Sequence, residues 1–134
     1  MKNKMEPNVH GLPVQSMGDI VDKISILTRK LFFGEEEAAD ELRYLEQCLD
    51  SVKGLPISGK LVSAIVRVTQ ANYDIWNLEN ELRKGGEQKF EREEIGARAI
   101  EIRNFNKRRI RYKNEINDIT GLGFREFKIK HRSQ

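Results

Sequence analysis

Four polar side chains near the end of the chain fall at helical intervals where an amphipathic helix would carry apolar ones. Asn106, Arg109, Lys113 and Asn117 are three, four and four residues apart, so they share one face of a predicted helix. Burying such groups without partners costs on the order of 1–3 kcal/mol each. The row therefore needs partners, which are either other side chains, water or a ligand.

Two other predicted helices carry polar rows of the same kind. The row on the third helix has intervals of four, three and four residues and consists of Asn72, Trp76, Glu79 and Arg83. The first helix adds a face beside its apolar stripe, made of Asp19, Asp22 or Lys23, Ile26 and Lys30. If these faces converge, amides, a carboxylate and several cations would surround the tryptophan, which suits a carboxylate, phosphate or sugar phosphate.

These rows predict a non-catalytic binding module for a small anionic ligand such as a nucleotide or sugar phosphate. Cations on the first and fourth helices would hold the charge of the ligand, while amides and a carboxylate would give it hydrogen bonds. The predicted ligand-binding residues are Lys23, Asn72, Trp76, Glu79, Arg83, Asn106, Arg109, Lys113 and Asn117.

The alternative is a structural or protein-adaptor bundle, forming a homo-oligomer, that has no small-molecule ligand. In that case Asn72 fixes helix register, as a lone buried polar residue does in a coiled coil. Glu79 and Arg83 would form an exposed ion pair four residues apart, and Arg109 and Lys113 would be solvated.

Enzymatic chemistry is the less favoured class. The E-x-x-E at 91–94 and E-x-x-D at 115–118 look like the Mg²⁺-holding carboxylate pairs of all-helical nucleoside triphosphate pyrophosphohydrolases, but they would lie about 30 Å apart on one helix. His10 and His131 stand near opposite ends, so no His/Cys cluster of the kind that binds zinc is expected. No paired nucleophile or glycine-rich phosphate loop occurs, and no cofactor is predicted.

A basic edge runs beside the polar row of the fourth helix. Arg103, Lys107 and Arg111 recur every four residues and could follow a phosphate backbone. Glu101 and Glu115 flank this edge, and helix-turn-helix spacing is absent. A solvated face is therefore the favoured interpretation, and nucleic acid is not a predicted partner.

The composition suits one folded domain, residues 1–134. Charged residues make up 34% of the chain and hydrophobic ones 38%, and 24 basic against 21 acidic residues leave a net charge of +3. The single cysteine, Cys48, excludes an intrachain disulfide, and we expect it to be a buried, inert thiol. No apolar run of membrane-spanning length and no signal peptide are seen, so a cytoplasmic location without membrane contact is expected.

The elements that must position the polar rows are four predicted helices. They run over about 17–33 after an N-cap at Ser16, 35–52 after Gly34, 60–84 after an N-cap at Ser58, and from 90 or 91 to 120 before Gly121. Residues 1–15 and 121–134 are predicted to be extended arms, and the second of them could form a short strand. The fold class is therefore all-α, an antiparallel bundle of about four helices.

The third helix carries a heptad seam. Its two apolar series recur every seven residues and consist of Leu61, Val68, Ile75 and Leu82, and of Ala64, Ala71 and Leu78. Helices of this length often continue such a seam across a two-fold axis, so a homodimer is predicted. Trp76 is expected in the core, with its indole N–H bonded to a residue of the polar rows.

Three stretches of the chain resemble a family of small uncharacterised bacterial helical proteins. They are GDIVDKISIL (18–27), NYDIWNLE (72–79) and NKRRIRYKNEIN (106–117), against G-E-L-x-D-K-x-x-I-L, N-x-x-L-W-x-x-E and N-x-x-R-x-x-x-K-x-E-I-N. Asp19 replaces a glutamate and Ile75 a leucine, and the C-terminal part is less similar. The family carries no established activity, but the resemblance implies that the polar residues matching its motifs form a shared site.

Overall fold

The structure, a computed structural model, describes residues 15–55, 57–85 and 92–122. Its helices are α1 (Met17–Phe32), α2 (Ala39–Asp50), α3 (Gly59–Gly85) and α4 (Arg92–Thr120), with a 3-10 turn at Glu36–Ala38 before α2. No strand occurs within these ranges. The predicted all-α bundle is confirmed, while the predicted arms over 1–14 and 123–134, including the short strand, lie outside the described residues.

Helix starts follow the capping residues. The hydroxyl of Ser16 accepts a hydrogen bond from Asp19 N at 3.1 Å, and that of Ser58 accepts one from Leu61 N at 3.1 Å. At the other end of α1, Gly34 has a φ of 89°. Residues other than glycine rarely adopt this left-handed backbone conformation. Local capping chemistry therefore set these boundaries, as predicted.

The second predicted helix begins differently. A continuous helix over 35–52 was expected, but the chain forms a 3-10 turn first, in which Ala38 N donates to Glu35 O at 3.1 Å. The tighter turn brings Ala38 into a buried cluster with Ile20, Leu27 and Leu45. Burial of this alanine accounts for the break, since Glu35 and its two glutamate neighbours stay exposed.

The heptad seam of α3 faces the inside of the chain. Leu61, Ala64, Val68, Ala71 and Ile75 are all buried. α3 packs along α4 as an antiparallel hairpin. Ion pairs join Arg67 to Glu115 at the surface and the half-buried Arg98 to Glu81. Because α4 covers this seam, the seam itself gives no argument for a dimer.

Helix α1 is the element that joins the two halves of the bundle. It contacts α3 and α4 on one side and α2 on the other. Met17 and Val21 belong to the buried cluster shared with α3 and α4, while Ile20 and Leu27 belong to the cluster shared with α2. Among the described helices, none is long and apolar enough to cross a membrane.

Candidate functional site

The polar row of α4 begins at a close contact with the start of α1. Gly18 N donates to Asn117 Oδ1 at 2.6 Å, which satisfies one of the N–H groups that the first turn of a helix leaves unpaired. A Cβ atom at Gly18 would collide with the backbone carbonyl of Lys113. Glycine is therefore required here, since only a bare backbone lets α1 approach α4 this closely.

One turn along α4, the lysine of the row meets a carboxylate of α1. Lys113 Nζ lies 2.8 Å from Asp19 Oδ1, and the side chain of Lys113 is only 9% exposed. Asp19 lies in the first turn of α1, where a negative charge also interacts favourably with the helix dipole. The buried cation is thus held by a charge of opposite sign.

The centre of the arrangement is Asp22, which is 3% exposed. Arg109 grips it with two hydrogen bonds, from Nε to Oδ1 at 2.8 Å and from Nη2 to Oδ2 at 2.6 Å. Asn72 of α3 donates to Oδ1 at 2.8 Å and also to the hydroxyl of Ser25 at 2.8 Å. Arg109 Nη1 donates further to Asn106 Oδ1 at 3.3 Å. One carboxylate therefore ties α1 to both helices of the hairpin.

We call these groups the polar network. Its members are Gly18 (through its N–H), Asp19, Asp22, Ser25, Asn72, Asn106, Arg109, Lys113 and Asn117. The whole predicted row of α4 belongs to it, with one residue of the α3 row. The convergence that the sequence predicted is therefore present, and the partners brought together are side chains of the same chain.

The other four predicted ligand-binding residues lie elsewhere. Trp76 is half-buried and stacks on Phe33, with ring centroids 4.9 Å apart, so it covers the end of α1 instead of filling the core. Lys23 is half-buried, and Glu79 is exposed. Arg83 is exposed as well and donates to Asn80 Oδ1 at 2.8 Å, whereas the alternative interpretation expected an ion pair with Glu79.

Sequence reasoning left Asp22 and Lys23 as alternatives and gave no role to Ser25. A signal for Asp22 was present in the spacing of charges. Asp19 and Asp22 are three residues apart on α1, while Lys113 and Arg109 are four apart on α4, in the opposite order. Two antiparallel helices pair such charges in succession.

The polar network limits what chemistry this region can do. Arg109 and Lys113 are each held by a carboxylate, so an anionic ligand would have to displace Asp22 or Asp19 before it could use their charge. Removing one partner of a buried ion pair is costly, about 3–5 kcal/mol. Within the described residues, no group of three or more His, Cys, Asp or Glu side chains could hold a metal ion.

A different kind of surface lies on another side of α1. An open groove of about 600 Å³ runs between α1, α2 and α3. Its lining is largely apolar and consists of Val21, Ile24, Ser25, Thr28, Arg29, Phe32, Leu49, Ile65 and Thr69. We call it the α1 groove. Its volume is in the range of sites that hold a ligand or an anchoring side chain of a partner.

Exposed aromatic and aliphatic side chains lie in or close in sequence to the lining of the α1 groove. Phe32 is 82% exposed and Phe33 53%, which is unusual for phenylalanine. The guanidinium of Arg29 lies 4.3 Å from the ring centroid of Tyr73, so a cation covers part of this end. On α3 the exposed Val66 lies three residues before Thr69, which lines the groove. An apolar groove with an exposed phenylalanine in its lining marks an interaction site more often than an isolated exposed residue does.

The stretch that contains α2, the helix beside the groove, is strongly acidic. Residues 35–50 carry seven carboxylates and a single arginine, and all of them are exposed. The carboxylates are Glu35, Glu36, Glu37, Asp40, Glu41, Glu46 and Asp50. Glu46 lies three residues before Leu49, the α2 residue that lines the groove, so the two share a helix face. The groove is thus apolar along its floor, and the helix that contributes Leu49 to it carries an excess of exposed carboxylates.

Comparison with known proteins does not assign the chain to a family. No model of a protein family matches the chain, and no curated protein and no solved structure matches it either. The resemblance of the three sequence stretches to small bacterial helical proteins stays a prediction. Any function must therefore be argued from the residues of this chain.

Proposed function

We propose that this protein is a non-catalytic helical adaptor that binds an apolar, positively charged segment of a partner protein in the α1 groove. The observation that carries the proposal is the open apolar groove that ends at Phe32, a side chain 82% exposed. Burying a phenylalanine side chain stabilises a protein by about 1.5–3 kcal/mol, and binding of a partner over Phe32 would provide this free energy.

The shape of the groove supports a peptide segment as the occupant. Its α1 lining extends from Val21 to Phe32, about 17 Å at 1.5 Å per residue. Three turns of an amphipathic helix, or five to six extended residues, cover this length and place apolar side chains along the floor. The groove is also open to the surface, as a docking segment requires.

Charge supports the proposed composition of that segment. The carboxylates of 35–50 attract lysine and arginine, and they would steer a basic partner toward the groove. Arg29 is the one charged residue of the lining, and its guanidinium is directed over the ring of Tyr73. A segment with an apolar face and basic flanks therefore suits the groove better than an acidic one.

The small anionic ligand predicted from the sequence stays a competing hypothesis. It would need Arg109 or Lys113, whose charges the carboxylates of α1 already neutralise. A thermal-shift screen with nucleotides and sugar phosphates separates the two functions, because a ligand at 100 times its Kd adds about 2.7 kcal/mol of stability. A shift that disappears in Arg109→Lys, with the fold retained, would favour the anionic ligand.

The adaptor proposal is tested with two fluorescein-labelled amphipathic peptides that share a leucine face and differ only in lysine or glutamate flanks. We expect fluorescence anisotropy to show the lysine peptide binding the full chain at least about tenfold more tightly, a difference of about 1.4 kcal/mol. Thr28→Lys, which places a cation in the exposed groove lining, should weaken that binding. The matched control is Asn104→Lys on the exposed face of α4.

Equal binding of the two peptides would contradict the charge argument. Binding of the lysine peptide that Thr28→Lys leaves unchanged would show that the peptide binds elsewhere on the surface. Either result would overturn the proposed docking site.

A further inference from the structure

The described chain ends beside the helix that forms the floor of the α1 groove. Leu122 O accepts a hydrogen bond from Met17 N at 3.0 Å, and the Leu122 side chain packs against the buried cluster that contains Met17 and Val21. Val21 is also the first α1 residue of the groove lining. The C-terminal arm therefore starts at one end of α1, and the groove extends from there toward Phe32.

The sequence of this arm has the chemistry proposed for the occupant of the groove. Within 123–134, three apolar residues alternate with or adjoin four Lys or Arg residues, and there is one acid, Glu126. The apolar residues are Phe124, Phe127 and Ile129, and the basic ones are Arg125, Lys128, Lys130 and Arg132. The groove offers an apolar floor to such a segment, and the neighbouring stretch 35–50 carries seven exposed carboxylates.

The arm is also long enough. An extended chain covers at most about 3.3–3.6 Å per residue, so eight residues after Leu122 can reach about 27 Å. The groove needs about 17 Å along α1. Attachment to the same chain raises the effective concentration of the arm at the groove to about the millimolar range, so even weak contacts would keep it bound.

We propose that residues 124–132 of the C-terminal arm occupy the α1 groove of their own chain, with the apolar side chains on α1 and the basic ones against α2. The inference rests on the proposed function, because it gives the adaptor groove an internal competitor. A partner segment then binds only by displacing the arm, and the arm keeps Phe32 and the groove covered until it does.

A paramagnetic label on the full chain tests the location of the arm directly. Cys48 is the only cysteine, so Cys48→Ser combined with Ser133→Cys allows a single nitroxide to be attached near the end of the arm. The only tryptophan, Trp76, lies at the Phe33 end of the groove, and its indole N–H signal reports on proximity. We expect strong, reversible broadening of the Trp76 and Tyr73 signals, because both rings lie beside the Arg29 and Phe33 end of α1. Ile119, which packs with Met17 and Leu61 at the opposite end of the bundle, is the internal reference and should stay sharp.

A mixing experiment separates binding within one chain from exchange between two chains. Nitroxide-labelled chains without isotopes are mixed with isotope-labelled chains without nitroxide. Binding within the chain predicts no broadening in the mixture, whatever the concentration. Broadening in the mixture would mean that the arm of a second copy occupies the groove, and the proposal would be wrong. No broadening in either sample would also overturn it.

Substitutions in the arm connect this test with the peptide assay. Phe127→Asp with Ile129→Asp should abolish the broadening and increase the affinity of the full chain for the lysine-flanked peptide by at least about tenfold, since the internal competitor is lost. Ser133→Asp with Gln134→Asp adds the same charge at the end of the arm and serves as the matched control in the peptide assay.

The two proposals fail in different ways. If the peptide binds the original chain and the arm variant equally well, the adaptor groove stands and the occupancy of the groove by the arm is overturned. If the peptide binds neither chain while the nitroxide still broadens Trp76, the arm occupies the groove and the external partner loses its support.

Discussion

The two surfaces of α1 differ in a way that reverses the usual expectation for a helix. Toward α4 the helix presents the half-buried Asp19 and the buried Asp22, and both are paired with cations in the polar network. Toward the groove it presents Ile24 and Phe32, and this apolar surface is open. In this chain a polar row marks a contact inside the fold, and an apolar surface marks the place where a partner could bind.

The physical reason lies in which groups have found partners. The carboxylate of Asp22 receives three hydrogen bonds, so its burial is compensated. The specific geometry of these bonds fixes how α1 sits on the hairpin, a role that buried polar groups serve in some other helical assemblies. The ring of Phe32 has no equivalent compensation within the described part of the chain, which leaves most of it exposed.

Arg109→Ala should give the largest effect, because it removes both charged bonds to Asp22 and leaves a buried carboxylate without its cation. We expect the free energy of unfolding in urea to fall by about 3 kcal/mol. The neighbouring Arg108→Ala is the matched control, since this exposed guanidinium only covers the ring of Phe105, and it should cost at most about 1 kcal/mol. If Arg109→Ala leaves the free energy of unfolding unchanged, the polar network does not stabilise the fold. That result would favour a ligand-binding role for Arg109.

Gly18→Ala should follow, because the added methyl group would meet the Lys113 carbonyl and force α1 away from α4. We expect a loss of about 1–3 kcal/mol in the same urea experiment. Gly96→Ala in α4 is the control, and it should change the free energy of unfolding in the opposite direction. Nothing lies within 4 Å of a Cβ there, so alanine should stabilise the helix by about 0.5–1 kcal/mol. If both changes stabilise the protein, the close contact between α1 and α4 is wrong.

Phe32→Ala should have the smallest effect on stability, within about 0.5 kcal/mol, since the ring is mostly exposed. It should nevertheless weaken binding of the lysine-flanked peptide in the anisotropy assay, because an exposed aromatic residue at a groove is a typical binding anchor. Phe33→Ala is the contrasting variant, because it removes the stack on Trp76 and should cost about 1 kcal/mol. A large loss of stability from Phe32→Ala would instead make this side chain part of the fold.

Much of the fold could be predicted from local patterns. Serines at two helix starts and the glycine after α1 act within one turn, so their effect is readable from neighbouring residues. The break before α2 was not predictable in this way. It depends on Ala38 reaching a cluster formed by residues of α1 and α2, and the three glutamates before it suit a helix start equally well.

The heptad seam shows a second limit. Leu61, Val68 and Ile75 specify an apolar stripe that another helix must cover, but the stripe does not say whether that helix belongs to the same chain. In the structure α4 covers it. The predicted homodimer therefore needs other support, and the sequence periodicity alone does not provide it.

The sequence by itself determined four helices and the row of polar residues on α4, because helical periodicity and capping are local properties of the chain. Only the tertiary structure decided which groups of the chain this row contacts. Asp22 and Lys23 are adjacent, and a rotation of about 100° along α1 separates their side chains, so the docking of α1 on the hairpin selects which charge meets Arg109. The same docking leaves Phe32 in the open α1 groove, since which helix face remains uncovered depends on the packing of three helices and not on the periodicity of any one of them.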